Sequence, residues 1–334
     1  MASPSYVLPQ SPAASPRSAY AAWLAVCVLW GTTYLGIRIA LETIPPGLLG
    51  GIRFTVAGAL LCSLVRLRGG RLPPIAAWPQ QAFIGVLMLG IGNGFVVVAE
   101  QWIPRGIASV GVASAPFWMS GVVAATGGER LTKGMLAGFM LGFGGIVVLI
   151  WPEIFRGGVG GRLFLAGIVA GQLACLGWSI GSLLSKRVTP HGTALAASGV
   201  QQLCGGLVTL AVGTAIGEWN GLAFSARSAA AELYLIVFGS LAAYSAYLYA
   251  LQHLPISTVS LYAYVNPVIA VILGTLLADE PFSPRIVAAA GMVLAGIAVV
   301  RRDTVTGPSS RPPTTGPGSR RPTSVSGAVR EESS

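Results

Sequence analysis

The chain carries little charge for its length. Of its 334 residues, 10% are Asp, Glu, Lys or Arg, whereas about 25% is usual in a soluble domain. Hydrophobic residues make up 53% of the sequence, which is more apolar surface than a soluble fold of this size can bury. These proportions exclude a soluble globule and predict an all-α membrane protein that crosses the bilayer several times.

Residues that carry metal or catalytic chemistry are also scarce. The sequence has two histidines without metal-ligand spacing and four cysteines, all within apolar runs that favour small buried side chains. It has no G-x-x-x-x-G-K-[ST] phosphate loop and no clustered carboxylates. The net charge of +10 is scattered over loops and tails. We therefore expect no metal, no cofactor, no nucleic-acid partner and no enzymatic activity.

Ten apolar runs are long enough to cross the hydrocarbon region, which takes about 20 residues. The predicted spans are 19–41, 47–66, 80–102, 106–126, 133–151, 163–185, 194–216, 231–251, 256–278 and 284–301. Residues 1–18 and 302–334 are rich in Pro, Ser, Thr, Gly and Arg, a composition typical of disordered tails.

The basic residues predict an orientation. Arg66, Arg68, Arg71, Lys186 and Arg187 follow spans that would end on the same side as the N-terminus. Because loops rich in Lys and Arg stay on the inner side, both termini are expected in the cytoplasm of a multi-pass protein of the inner membrane.

An internal repeat divides the chain. The segment Gln101-Trp102-Ile103-Pro104 resembles Gln252-His253-Leu254-Pro255 at an offset of 151, and Trp30 aligns with Trp178 at an offset of 148. Arg53 aligns with Gln201 at the same offset of 148. The repeats cover 19–151 and 163–301, joined by a linker at 152–162, with five predicted spans each. Five is an odd number, so the second copy enters the membrane from the opposite face, as in many secondary transporters.

Two prolines occupy matching depths in these repeats. Pro116 falls in the fourth predicted span and Pro267 in the ninth. A proline inside a span frees a carbonyl, which is tolerated where the helix is buried in protein or lines a watery cavity. A hinge or cavity role is one interpretation, and a packing kink is the other.

Polar groups within the third span and its neighbour suggest an ion site. Arg53 lies in the outer half of the second span and Glu100 near the outer end of the third. The two either pair towards the interior or lie separately at the interface. Glu100 is the predicted group for coupling transport to protons. The Asn93 amide, between Gly92 and Gly94, either joins two helices or contacts a solute.

Mid-span aromatic residues suggest a pathway for an amphipathic solute. Trp30, followed closely by Thr33, and its repeat mate Trp178 lie well inside their spans. Most other tryptophans lie at span ends, as interfacial aromatics do. Lining of a pathway and plain packing are both consistent with this pattern.

The second repeat adds a polar and aromatic stripe. Tyr244 and Tyr247 recur at helical spacing in the eighth span, and Tyr264 and Asn266 follow in the ninth. Buried tyrosine hydroxyls need partners, so the stripe is expected to face the interior. Gln201, in the seventh span, is expected to face inward too.

Four segments carry a resemblance to a known family. They are WGTTYLGIRIALETIPP (30–46), GGIRFTVAGALL (50–61), GNGFVVVAE (92–100) and SLYAYVNPVIAVILGT (260–275). Together with the two repeats they resemble the EamA family of the drug/metabolite transporter superfamily, and within it the YedA-type exporters. The resemblance covers about residues 19–301.

The resemblance implies a ten-helix bundle around a central cavity, alternating access, and export of small metabolites, amino acids or drug-like compounds. It matches seven positions without assigning their roles: Trp30, Arg53, Asn93, Glu100, Pro116, Asn266 and Pro267.

The sequence thus favours a secondary transporter whose partners are a small solute, the lipid bilayer and a coupling proton. An uncoupled facilitator or exchanger, a membrane-embedded enzyme and a scaffold are the alternatives. The ladder of Gly134, Gly138 and Gly142 packs either within one chain or between the two chains of a homodimer.

Overall fold

A computed structural model describes residues 16–102, 111–156, 162–189, 193–277 and 284–306. Regular structure in these ranges is helical throughout. The α-helices are α1 Pro16–Ala40, α2 Pro46–Leu67, α3 Trp78–Gly85, α4 Gly94–Trp102, α5 Ala115–Ala125, α6 Lys133–Arg156, α7 Arg162–Val188, α8 Ala194–Ala215, α9 Ala226–Tyr234, α10 Ala243–His253, α11 Ile256–Ser260, α12 Tyr262–Leu277 and α13 Pro284–Thr306.

Seven of the helical segments are long and apolar enough to cross a membrane. They are Pro16–Ala40, Pro46–Leu67, Ile75–Ala99, Arg162–Val188, Ala194–Ala215, Ala226–His253 and Pro284–Asp303. Three shorter apolar helices lie in the described ranges, at Ala115–Ala125, Lys133–Leu149 and Ile256–Ile269. The all-helical membrane class is confirmed, and the count of ten spans stays a prediction.

Two of the long helices contain a wide turn that the sequence analysis did not predict. Val86–Asn93 is a π-helix between α3 and α4, here called π1, and Leu235–Ala242 is a π-helix between α9 and α10, here called π2. Such segments are rare and occur mostly at functional positions. They lie at the same place in the two predicted repeats, offset by 149 residues.

The helices that carry the two prolines are also interrupted, but in different ways. The chain turns at residues 113–114, and buried Pro116 lies in the first turn of α5, where a proline costs no helical hydrogen bond. In the second repeat, the turn falls at Leu261, and buried Pro267 lies inside α12. In both repeats the break therefore precedes the proline, and α12 continues through Pro267.

The most extensive helix contacts join corresponding parts of the chain. α2 lies along α8, where a Cβ on Gly58 would approach the Leu203 backbone nitrogen to 2.2 Å. α6 lies along α13, where a Cβ on Gly138 would approach the Gly296 carbonyl to 2.8 Å. Both contacts depend on glycine because any side chain would force the backbones apart.

The glycine ladder of α6 is used within the chain. Gly138 faces α13, Gly134 lies against Asp303, and Gly142 lies against the ring of Tyr264. Of the two interpretations of this ladder, the structure therefore supports packing within one chain, and the ladder gives no argument for a homodimer.

Two glutamates outside the membrane helices bind helix starts. Backbone N–H groups at the start of α2 donate to Glu218 over 2.8 and 3.1 Å. Those at the start of α11 donate to Glu129 over 2.5 and 3.2 Å. A carboxylate at a helix N-terminus satisfies free donors and complements the helix dipole, so both contacts stabilise the entry of a helix.

Candidate functional site

Five aromatic side chains meet between α1, α7, α10 and α12, and we call them the aromatic cluster. The rings of Trp30 and Trp178 lie edge to face, with centroids 5.5 Å apart. Tyr247 lies 5.1 Å from Trp30 and 5.4 Å from Trp178. Tyr262 lies 5.0 Å from Trp30, and Tyr244 lies 6.4 Å from Trp178. The two indoles that match between the predicted repeats are thus in direct contact.

Each polar atom on the indole rings of the cluster has a partner. Trp30 Nε1 donates to the Gly239 carbonyl over 3.0 Å, and Trp178 Nε1 donates to the Tyr247 hydroxyl over 3.0 Å. The Tyr247 hydroxyl also lies 2.7 Å from the Ser182 hydroxyl. The tyrosine is fully buried and the indoles are half-buried. Rings held in this way present a fixed apolar surface with few free polar groups.

Both tryptophans lie against a wide turn from the other half of the chain. Trp30 of α1 binds Gly239 in π2. Trp178 of α7 packs on Gly92 in π1, where an added Cβ would lie 3.0 Å from the indole ring. Movement of either wide turn would therefore move a tryptophan of the aromatic cluster.

A network of neutral amides and hydroxyls lies beside this cluster. Gln201 Nε2 donates to Gln81 Oε1 over 2.7 Å and to the Ser185 hydroxyl over 3.2 Å. Its Oε1 accepts from the Tyr244 hydroxyl over 2.9 Å. Gln201 is fully buried, and three partners satisfy its amide, so the network rigidly joins four helices. The predicted inward orientation of Gln201 and Tyr244 is what the structure shows.

Arg53 occupies the corresponding place in the first repeat, and its side chain is 6% exposed. Its Nε donates to the Ser240 hydroxyl over 2.7 Å, and its guanidinium lies 4.8 Å from the centre of the Phe54 ring. A Cβ on Gly239 would lie 2.6 Å from Arg53 Nη2, so a larger residue there would displace the end of the Arg53 side chain. Arg53 therefore contacts π2 and does not extend to the membrane surface.

Two other predicted site residues bond within their own helices. Asn93 Nδ2 donates to the Met88 carbonyl over 3.2 Å, inside π1. Thr33 Oγ1 donates to the Trp30 carbonyl over 2.7 Å, and the residue is buried. The Asn93 amide nitrogen thus satisfies a carbonyl of the wide turn, and the two predicted alternatives, a bond between helices or contact with a solute, stay predictions.

Tyr264 and Asn266 make hydrogen bonds to backbone carbonyls. The Tyr264 hydroxyl donates to the Phe139 carbonyl over 3.0 Å, so this tyrosine joins α12 to α6. The Asn266 amide, oriented to satisfy its bonds, donates to the carbonyls of Tyr262 and Cys27 over 3.1 Å each. Both residues join helices, and the sequence grouping of Tyr264 with the other tyrosines is not observed.

Glu100 lies in α4, but its side chain falls outside the described residues. The predicted pairing of Glu100 with Arg53 stays a prediction. Pro116 and Pro267 are both buried, and their helices pack against α7 and α1 respectively.

Sequence reasoning missed Glu232. Its side chain is 4% exposed, and it lies in the candidate span Ala226–His253. The predicted eighth span began at residue 231, which placed this acid at the interface. In the structure the helix begins at Ala226, six residues before Glu232, and so carries the acid inward.

Among the described residues, no group of three or more His, Cys, Asp and Glu is placed to hold a metal ion. The described side chains of this region offer aromatic surfaces, amides, hydroxyls, and the buried charged groups Arg53 and Glu232.

Comparison with known proteins gives the family. Residues 17–151 and, separately, residues 165–302 match the EamA-like transporter family. The chain belongs to this family. It is a multi-pass membrane protein and a member of the drug/metabolite transporter superfamily.

Individual relatives agree with this assignment. The chain is 34% identical over 283 residues to the inner membrane transporter YedA of Escherichia coli (strain K12), covering 84% of this chain and 90% of that protein. It is 26% identical over 184 residues to a probable amino-acid metabolite efflux pump of the same strain, covering 51% of this chain and 54% of that protein.

A solved crystal structure has the same fold. Its TM-score is 0.72 at 22% sequence identity, and the match covers 85% of this chain and 97% of that one. At this identity the likeness shows the fold alone.

Proposed function

We propose that the protein is a secondary transporter that exports a small amphipathic solute, such as an amino acid or a related metabolite, across the inner membrane. The observation that carries the proposal is the contact between Trp30 and Trp178, whose ring centroids lie 5.5 Å apart. The same position of each family repeat contributes one of these rings. A solute that crosses between the repeats would pass this contact.

The chemistry of the aromatic cluster suits a solute with an apolar part and a polar end. Indole and phenol rings offer faces for an apolar or cationic group. Ser182 and the backbone of π2 supply polar atoms next to the rings. The name of the amino-acid metabolite efflux pump among the relatives is consistent with this class of solute.

The proposed mechanism is alternating access between two inverted five-helix units, each with five spans and together enclosing a central cavity. Pairing of α2 with α8 and of α6 with α13 joins corresponding helices of the two repeats, which supports a pseudo-two-fold axis between them; in the proposed mechanism this axis lies in the membrane plane. In this mechanism π1, π2, Pro116 and Pro267 are the points at which helices bend. Both termini lie in the cytoplasm.

The solute pathway includes Trp30, Trp178, Tyr244 and Tyr247, with Arg53 beside them. Thr33, Asn93, Gln201, Tyr264 and Asn266 hold the surrounding helices in place. Transport is driven by an ion gradient, and a carboxyl group within a span is the chemistry that proton coupling requires.

Counterflow in proteoliposomes tests the proposal. Vesicles containing the purified protein are loaded with one unlabelled amino acid at a time, and a trace of the labelled form is added outside. We expect transient accumulation of at least one amino acid, and its loss in Trp30→Ala and Trp178→Ala. Trp219→Ala is the matched control, since Trp219 is exposed at a helix end. No accumulation of any amino acid would contradict the proposed solute class.

A further inference from the structure

Glu232 is a buried acid whose carboxylate oxygens form no hydrogen bond with the described residues. The side chain is 4% exposed, and both oxygens are buried without a hydrogen bond. Within the described ranges no ion pair shorter than 4.0 Å includes Glu232, although Arg227 and Glu42 form one nearby, at 3.4 Å on the surface. An unsatisfied acid inside a membrane helix is costly, so its presence calls for a functional explanation.

One buried cation interacts with this acid. The charges of Arg53 and Glu232 act on each other electrostatically, but the Arg53 Nε is bound to Ser240. α9 packs on α1, α2 and π2. The charged groups of α1 and of the turn after it are Arg38 and Glu42, and both are exposed to solvent. The titratable hydroxyl of Tyr234, on α9 itself, is hydrogen-bonded to Thr32.

The arrangement selects a proton over a metal cation. The charge of Arg53 acts on the Glu232 carboxylate and partly balances it, and the same guanidinium would repel a sodium ion. A proton neutralises the carboxyl group without needing several oxygen ligands. The structure, with Arg53 held by Ser240 and Glu232 unpaired, fits a protonated Glu232.

We propose that Glu232 is the group that binds and releases the coupling proton of transport. This inference rests on the proposed function. The carboxylate takes up one proton to become a neutral carboxyl group and returns it on the other side of the membrane. When the proton leaves, the carboxylate attracts the guanidinium of Arg53 and competes with Ser240 for it.

Two contacts connect Arg53 to the aromatic cluster. Arg53 Nη2 lies against the Gly239 backbone, and the Gly239 carbonyl accepts the bond from Trp30 Nε1. Displacement of Arg53 therefore changes the packing of π2 at the residue that holds Trp30. Protonation of Glu232 and the conformation of the pathway are linked through these residues.

The first arm of the test needs no solute. The carbonyl stretch of a protonated carboxyl group is recorded by infrared spectroscopy on the purified protein in lipid across a pH series. We expect a band that disappears as the pH rises and that is missing in Glu232→Gln. Glu42→Gln, which removes an exposed acid close by, is the control and keeps the band. A band that survives in Glu232→Gln overturns the assignment.

The second arm uses the amino acid that gives counterflow. A pH gradient across the vesicle membrane should drive its accumulation by the wild type, and Glu232→Gln should lose this response while its remaining counterflow shows that it is folded. Glu100→Gln tests the acid favoured by the sequence. Loss of gradient-driven accumulation in Glu100→Gln alone overturns the inference. Absence of counterflow in the wild type instead contradicts the proposed function.

Discussion

Arg53 and Gln201 stand at equivalent positions of the two repeats, and their surroundings differ in one respect. Arg53 extends from α2 to π2, and Gln201 extends from α8 to Gln81 in α3, just before π1. The first seam contains a buried cation and a buried acid, whereas the second contains neutral amides and hydroxyls. Here the "charged seam" is Arg53, Ser240 and Glu232, and the "neutral seam" is Gln201, Gln81 and Tyr244.

The difference indicates that the two seams have different roles. The amide of Gln201 forms three hydrogen bonds, and a rearrangement of the neutral seam would break them. The charged seam has an acid without partners, and its energy depends on whether that acid carries a proton. We therefore expect the neutral seam to hold the bundle together and the charged seam to respond to pH.

The largest change in the free energy of unfolding is expected when Arg53 of the charged seam is replaced by glutamine, the residue at the equivalent position of the neutral seam. Arg53→Gln removes the cation near Glu232 and should lower the free energy of unfolding by about 3 kcal/mol at high pH, where Glu232 would have to ionise alone. At low pH the loss should be smaller, because a protonated Glu232 needs no counter-charge. Titration with sodium dodecyl sulfate at two pH values measures both.

The double variant Arg53→Gln, Glu232→Gln provides the control. It should recover most of the stability lost at high pH. An equal loss at both pH values, with no recovery in the double variant, would show that the two charges are not coupled.

A smaller loss of stability is expected from adding a methyl group to the glycines that contact the seams, and the loss should differ between Gly85 and Gly239. A Cβ on Gly85 would lie 2.1 Å from the Gln201 carbonyl oxygen, which is backbone and cannot move aside. Gly85→Ala should therefore cost about 1–3 kcal/mol in the same unfolding assay. Gly239→Ala meets the mobile end of Arg53 and should cost less, and Gly121→Ala, with nothing within 4 Å, is the neutral control. Equal losses at Gly85 and Gly121 would contradict the close packing of α3 on α8.

Tyr244→Phe tests the neutral seam by removing a single hydroxyl group. It removes the 2.9 Å hydrogen bond to Gln201 and should cost about 1 kcal/mol at all pH values. Tyr249→Phe, which loses a half-buried bond to Ser18, is the matched comparison and should cost less. A marked pH dependence in Tyr244→Phe would mean that the neutral seam also contains a titrating group.

The smallest effect is expected at the exposed ion pair of Arg227 and Glu42. Arg227→Ala changes the net charge of the same helix that carries Glu232, but the pair is open to solvent. The change in unfolding free energy should stay within about 0.5 kcal/mol. A loss of stability as large as that of Arg53→Gln would show that removing any positive charge lowers the stability, whether or not the charge is buried.

Much of the architecture follows from the sequence because a membrane restricts the choices. Long apolar runs can only be helices there, and Trp30 and Trp178 were matched by the repeat before their contact was known. Burial of Tyr244, Tyr247 and Gln201 followed from the cost of leaving polar side chains in lipid.

The sequence was less informative where local geometry decides. A π-helix has no distinctive residue pattern, so π1 and π2 were not predicted. Tyr264 was grouped with the other tyrosines by spacing, although α12 turns it towards Phe139. Glu232 was placed at the very start of the eighth span, because hydropathy gives the position of a helix only to within a few residues.

The central claim is that the two repeats enter the membrane from opposite faces and meet at these seams. It is tested most directly by labelling the loops that follow α2 and α8, which are equivalent in the repeats. Ala76→Cys and Asn220→Cys place one exposed thiol in each loop, and intact cells are treated with a maleimide that cannot cross the membrane. We expect Asn220→Cys to react at once and Ala76→Cys to react only after the cells are opened. Reaction of both thiols from the same side would contradict the account.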